Sequence, residues 1–296
     1  MRKICFLSSF FIKIFAIVFM TLDHVGQYLE IQYATNESLM ELSTIFRTLG
    51  RFALPLFVFM IVEGVLHTKN FKRYMLRLGI LASLVSIVFI VLEYSPAFGD
   101  FSSLLRAGNI FIDLILAALA VYFIKHPNNK IKLLTLLPLA FSVLCFIVKG
   151  IEFSENIDIN WFPCFITMQY DFLAVLLALG FYFAYKASDL YIPYIGGYDK
   201  SVWESNGNYR LLVNVFSVII ATIIHIFFYL FKYIWPAGIY FDIDTQVYAI
   251  FSGAFILFYS GKRGYNAKWF QYGSYLYYPL HILLLAIIII IQNGGI

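Results

Sequence analysis

Charge is what this chain lacks most. Only 13% of its 296 residues are Asp, Glu, Lys or Arg, where a soluble globular domain carries about a quarter. That shortage, with 61% hydrophobic residues and a mean hydropathy of +0.82, excludes a soluble fold and puts the chain in a lipid bilayer. The formal net charge of +4 does not argue for nucleic acid, because the basic residues sit at the ends of apolar runs and form no continuous patch. Cysteine is scarce. Cys5, Cys145 and Cys164 make no CxxC and no ligand spacing, so they read as small apolar fillers and no metal site is expected. P-loop, HExxH and GxSxG motifs are missing. No hydrophilic domain and no repeat stands out, so residues 1–296 are expected to form one integral membrane domain. Arg2 and Lys3 before an apolar stretch imitate a signal peptide. Lys13 interrupts that stretch and no A-x-A site follows, so it reads as a retained first span.

What is abundant is apolar sequence in span-length runs. A crossing needs about 20 mostly apolar residues. Such runs fall at roughly 6–29, 42–66, 74–93, 108–124, 131–149, 164–185, 210–231, 246–260 and 270–291. An all-α polytopic bundle of about nine spans is therefore expected, with eight and ten also compatible. An open strand cannot satisfy its backbone in lipid. The loops alternate in charge. One set carries Arg2 and Lys3, Lys69 to Arg77, Lys125 to Lys132, Lys186 to Arg210, and Lys262 to Lys268. The other carries Glu30, Glu37 and Glu41, Glu93 and Asp100, Glu152 to Asp158, and Asp242 and Asp244. The Lys/Arg bias predicts a cytoplasmic N-terminus and an outer C-terminus in the cell membrane. The longest polar stretch, residues 186–209, is expected to be a cytoplasmic loop that could fold over a cavity mouth.

One segment organises the ionisable residues. Residues 47–78 read RTLGRFALPLFVFMIVEGVLHTKNFKRYMLRL. Arg47 and Arg51 share a helical face at one end, and Glu63 and His67 repeat that spacing at the other. Pro55 is expected to bend the segment near Leu54. Ionisable side chains on a spanning helix are costly in lipid and should face a protein-lined cavity. Lys69, Arg73 and Arg77 follow on one face, and Lys262 and Arg263 stand in YSGKRG. Both clusters suit a phosphate-bearing ligand on the cytoplasmic side, or serve as topology signals alone.

Two histidines are candidates for chemistry. His24 follows Asp23 in the first span, and it lies eleven residues beyond Lys13, so the two share a face about 16 Å apart along the axis. An imidazole suits a general base. Asp23 points about 100° away from His24 on a helix and is free to orient another group. Arg47 and Arg51 could neutralise Asp23, Asp113 or Asp171, or bind an anionic acceptor. His281 falls near mid-membrane in YLYYPLHILLL, with Tyr278 three residues before it and Pro279 kinking the span. Asn109 and Asp113 lie four apart in GNIFIDL, and Asp171 lies in MQYDFL. These three and Tyr278 are substrate-binding or structural polar residues. His225 has only apolar and aromatic neighbours and reads as a core histidine.

Three stretches, MTLDHVG at 20–26, GRFALPLFVFMIVEGVLHTKNFKRYMLRL at 50–78, and YSGKRG with YLYYPLHILLL within 259–285, resemble the TraX family of integral membrane proteins, named for the conjugative pilin N-acetylase. Ile112-Asp113 departs from the family's fourth-span pattern, and residues 125–245 carry little signature. Lys13 and His24 also match the basic-x10-His pattern of acyltransferase-3 type transmembrane enzymes. The resemblance implies transfer of an acetyl group from cytoplasmic acetyl-coenzyme A to an outer acceptor, a pilin-like protein N-terminus or an envelope glycan hydroxyl. On that reading His24, Asp23, Arg47, Arg51 and His281 are catalytic candidates. Lys13, Glu63, His67, Lys69, Arg73, Arg77, Lys262 and Arg263 are donor-binding candidates. The competing expectations are a proton-coupled transporter or flippase of envelope precursors, which also uses buried ionisable pairs, and a non-catalytic scaffold for envelope assembly.

Overall fold

The computed structural model describes residues 4–93, 108–155, 159, 162, 164–196, 200–205, 207–234 and 243–292. Arg2, Lys3, Asp100, Asp158 and Asp242 lie outside the described residues, as do the side chains of Glu93, Glu155 and Cys164. The architecture is all-helical. The long helices are α1 (Ser9–Gln32), α2 (Glu37–Gly50), α3 (Ala53–His67), α4 (Phe71–Glu93), α5 (Ile110–Ile124), α6 (Leu136–Glu155), α7 (Phe172–Gly196), α8 (Asn208–Phe231) and α9 (Lys268–Gln292). No strand occurs among the described residues. Extended backbone meets in a parallel bridge between Leu7 and Tyr259.

Among the described residues, seven stretches are long and apolar enough to cross a bilayer: Ser9–Gln32, Glu37–His67, Phe71–Val91, Asn129–Glu152, Phe172–Ile195, Asn208–Phe231 and Lys268–Gln292. The chain is a multi-pass membrane protein. Two expected spans are shorter than a full crossing. α5 has 15 residues. The 246–260 run is a composite of Ile243–Gln246, a 3-10 helix Val247–Ser252 and Gly253–Leu257. A 3-10 helix rises about 2.0 Å per residue against about 1.5 Å for an α-helix. The composite therefore reaches about 25 Å, where an α-helix of equal length reaches about 22 Å.

Three expectations need correcting. The break in the second apolar run falls at Arg51–Phe52, not at Leu54. Pro55 has no N–H for the carbonyl four residues earlier and its ring crowds that carbonyl, so the helix ends at Gly50 and restarts with Pro55 in its first turn. The sixth span begins at Phe172, not at 164, because Asp171 sits at φ +47° and stops helix from propagating back through it. The stretch 186–209 is mostly helix, with α7 running to Gly196 and a short helix at Lys200–Ser205. None of its described residues lines the cavity identified below.

Contacts fix which ends lie together. α1 and α9 run parallel. Phe10 packs on Phe270 at 4.6 Å, Thr21 bonds Tyr277 at 2.7 Å, and Tyr28 donates to Gln292 at 2.5 Å. α4 and α5 run antiparallel. Asn109 bonds Ser86 at 3.0 Å at one end, and Phe71 stacks on Tyr122 at 3.9 Å at the other. α5 is central, packed by α3, α4, α6 and α7. Its Ala117, Ala118 and Ala120 are fully buried, and small side chains let helices approach closely in a membrane. The outward faces of α4, α6 and α8 carry exposed Ile80, Ile87, Leu137, Ile147, Ile223 and Phe227, as lipid-facing helices should.

Candidate functional site

A cavity of about 610 Å³ runs between α1, α3, α4, α5 and α9. One end is lined by Asp23, His24, Gly50, Gln169 and Tyr170, and the other by Lys13, His67, Thr68, Arg77 and Arg263. Lys13 and His24 do face the same space, separated by about 16 Å of helix.

At the first end, His24 Nδ1 lies 2.6 Å from His281 Nε2, with the two rings stacked at 4.9 Å. The other nitrogen of His281, Nδ1, lies 2.9 Å from the Tyr277 carbonyl, which can only accept. His281 is therefore protonated on Nδ1 when neutral, and its Nε2 accepts from His24 Nδ1–H. That leaves the lone pair of His24 on Nε2, which has no hydrogen-bond partner among the described residues, beside the cavity. Two histidines that stand as separate candidates in the sequence form one relay of hydrogen bonds. Nothing local could reveal it, since they are 257 residues apart.

Asp23 does not touch His24. It accepts from Arg51 Nη2 at 2.9 Å and from Arg47 Nη1 at 3.4 Å, and Arg47 also reaches Glu30 at 3.5 Å. Neither arginine lines the cavity. The pairing follows from glycine placement. A Cβ on Gly50 would stand 2.3 Å from Asp23 Cβ, and one on Gly26 would stand 3.0 Å from Arg47 Cγ. These two glycines let α1 and α2 close to contact, with Ser43 Oγ donating to the Gly26 carbonyl at 2.8 Å. The Asp-His-x-Gly and Gly-Arg motifs are thus two halves of one junction.

At the opposite end, Lys13, Arg77 and Arg263 line the cavity, and none has an ion-pair or hydrogen-bond partner for its side chain among the described residues. Three cations without carboxylate partners among the described residues make that mouth an anion-attracting surface. Lys69, Arg73 and Lys262 are exposed beside it without lining it. Glu63 lines the cavity but is already engaged. Arg210 Nη2 donates to it at 2.9 Å, Tyr185 donates a further bond, Tyr259 lies at 3.4 Å, and His67 Nδ1 at 3.8 Å. Arg210 also lies over the Tyr259 ring at 4.4 Å and bonds Asn214 at 3.0 Å. Asn214 donates to the Tyr259 and Leu257 carbonyls at 2.7 and 3.0 Å. This cluster pins the segment carrying Arg263, which also pairs with the start of α1 through Ser9 N–H to the Lys262 carbonyl at 2.8 Å. Cys5 belongs here as well, 3.6 Å from Asn214 Nδ2, and burial raises its thiol above the ordinary value. In the sequence Arg210 reads as a loop charge; nothing marks it as the partner of a residue 147 positions away.

Asn109, Asp113 and Asp171 lie outside the cavity lining. Asn109 caps α5, accepting from Phe111 N at 3.0 Å and donating to the Ala82 carbonyl at 2.9 Å. Asp113 accepts from the Gln169 and Tyr170 backbone at 2.6 and 2.8 Å. Asp171 pairs with Lys149 at 3.4 Å, and not with Arg47 or Arg51. Lys149, which the sequence hides at the end of an apolar run, also donates to the Met168 carbonyl. Together these residues hold residues 167–171, whose Gln169 and Tyr170 line the cavity. His225 is a core histidine bonded to the Ala221 carbonyl at 2.8 Å. No cluster of three potential metal ligands occurs among the described residues.

The fold and the cavity define a multi-pass helical membrane protein with an internal chamber that joins a cationic mouth to a paired-histidine end. The chain belongs to the TraX family, whose model, described as TraX protein, matches residues 8–196. It is also similar to a protein of Dichelobacter nodosus named "Probable fimbrial assembly protein FimC, serogroup H1", at 25% identity over 282 residues, 94% of each chain. No solved structure matches the chain. The family match includes His24, Asp23, Arg47, Arg51 and Glu63, and ends before Arg210, Arg263 and His281.

Proposed function

We propose that this protein is a membrane-embedded acetyltransferase that moves an acetyl group from cytoplasmic acetyl-coenzyme A to an amine or hydroxyl at the outer side. The observation that carries this reading is one cavity with unpaired cations at one end and an unoccupied imidazole nitrogen at the other. The arm between the phosphates and sulfur of coenzyme A is as long as four to five peptide residues. At 3.3–3.6 Å per residue it extends to about 15 Å, close to the Lys13–His24 separation. Lys13, Arg77 and Arg263 attract the nucleotide phosphates, and Lys69, Arg73 and Lys262 add field at the approach. Glu63 and His67 set the shape of the mouth through the Arg210 cluster.

The reaction follows from the tautomer. His24 Nε2 takes a proton from the acceptor as its oxygen or nitrogen bonds to the thioester carbonyl carbon. The tetrahedral intermediate then expels the thiolate, which recovers the proton from His24, giving free coenzyme A and the acetylated acceptor. His281 is a positioning residue that holds the His24 tautomer. Asp23 with Arg47 and Arg51 fixes α1 against α2 and so fixes the depth of His24. The acceptor is an envelope component, a pilin-like protein N-terminus or a glycan hydroxyl; the fimbrial-assembly name of the similar protein favours the former.

In this reading the chain makes nine passes, with α5 and the composite 243–257 segment completing the seven long ones. The antiparallel α4–α5 pair and the parallel α1–α9 pair support that topology, with the N-terminus cytoplasmic. The proposal is tested by binding of coenzyme A to the purified protein in detergent. Arg77→Gln with Arg263→Gln should weaken affinity at least about tenfold and flatten its salt dependence. Unchanged affinity in the double variant removes the mouth from donor binding.

A further inference from the structure

Resting on the acetyltransferase reading, we infer that the Tyr278 hydroxyl is the oxyanion donor, a catalytic residue that hydrogen-bonds the thioester oxygen as it becomes negative. The reaction as derived has a base but no group to meet that charge. Arg47 and Arg51, the charged candidates, are held by Asp23 behind α1 and do not line the cavity. Two phenols line this end, Tyr170 and Tyr278. Tyr278 stands three residues before His281, on the same face of α9. Its ring meets His24 edge-to-face at 6.0 Å and His281 at 5.4 Å, and Phe111 backs it at 5.0 Å. The residue is 8% exposed. Its hydroxyl has no hydrogen-bond partner among the described residues, yet it is not among the buried polar atoms sealed without one. The hydroxyl therefore opens on the cavity with its proton uncommitted. A donor held rigid by three aromatic contacts needs no reorganisation when charge develops.

The electron flow is complete with the groups named. As the acceptor attacks, the C=O π pair moves to oxygen, which accepts from Tyr278 O–H. When the C–S bond breaks, that pair returns and the hydrogen bond relaxes, with no net transfer of the phenolic proton.

The test uses the full chain in membrane vesicles with the cytoplasmic face outward, supplied with labelled acetyl-coenzyme A, reading label fixed in envelope material. Tyr278→Phe keeps the ring contacts and removes only the hydroxyl. It should lower kcat about 10²–10³-fold with donor KM and coenzyme A affinity unchanged. Unimpaired turnover in Tyr278→Phe overturns the inference. A loss confined to donor KM also overturns it, because it makes Tyr278 a binding contact. If the unmodified protein transfers no label, the acetyltransferase reading itself fails, and that outcome is distinct from a working protein indifferent to Tyr278.

Discussion

Arg210→Met should be among the most destabilising single changes in this chain. Glu63 is 5% exposed, and its partner's side chain is 14% exposed, so solvent screens the pair little. Methionine preserves much of the volume and removes the guanidinium. Glu63 is then left with Tyr185, Tyr259 and the exposed His67 imidazole at 3.8 Å, and without its arginine, a poorly compensated charge inside the bundle. Breaking one side of a buried pair typically costs about 3–5 kcal/mol. Removing both charges, as in Arg210→Met with Glu63→Gln, leaves no buried ion, so most of that loss should return. The assay is equilibrium unfolding in mixed micelles of the unmodified protein, both single variants and the double variant. A functional consequence should accompany the loss. The cluster pins residues 257–263 through Asn214, so the single variant should also bind coenzyme A more weakly. If Arg210→Met unfolds with the unmodified protein, or if the double variant loses the sum of the singles, Glu63 and Arg210 are not coupled as described.

Gly50→Ala should force α1 from α2, because the new Cβ would stand 2.3 Å from Asp23 Cβ. We expect about 1–3 kcal/mol of destabilisation and loss of transfer activity, and a fully stable, active variant would refute the junction. Reporter fusions after Lys69, Lys130 and Lys262 should all read cytoplasmic, and an external reading at any of them breaks the nine-pass topology.

Much of the bundle was legible because lipid imposes a length and a composition on each crossing. The runs at 6–29, 210–231 and 270–291 all became helices within a few residues of their limits. Where helix failed, the causes were local and visible afterwards. Pro55 acts on the carbonyl of Arg51, four residues back, and Asp171 adopts a positive φ because the Asp113 and Lys149 contacts hold residues 167–171. Of the site, what helical spacing determines was readable. Lys13 and His24 were placed on one face and both line the cavity. What depends on two distant helices meeting was not. His24 with His281, Glu63 with Arg210 and Asp171 with Lys149 are tertiary pairs, and in the sequence each member looks like a solitary charge or a candidate for a different partner.

The central claim, that His24 Nε2 is the base, is tested most directly by the turnover of His24→Gln at saturating acetyl-coenzyme A. Glutamine keeps the volume and can still donate to His281, but it cannot take a proton at neutral pH. A positioned base contributes about 10²–10⁴-fold, so turnover should fall at least about a hundredfold while coenzyme A binding is retained. Near-normal turnover in His24→Gln would contradict it, leaving His24 a packing and hydrogen-bonding residue.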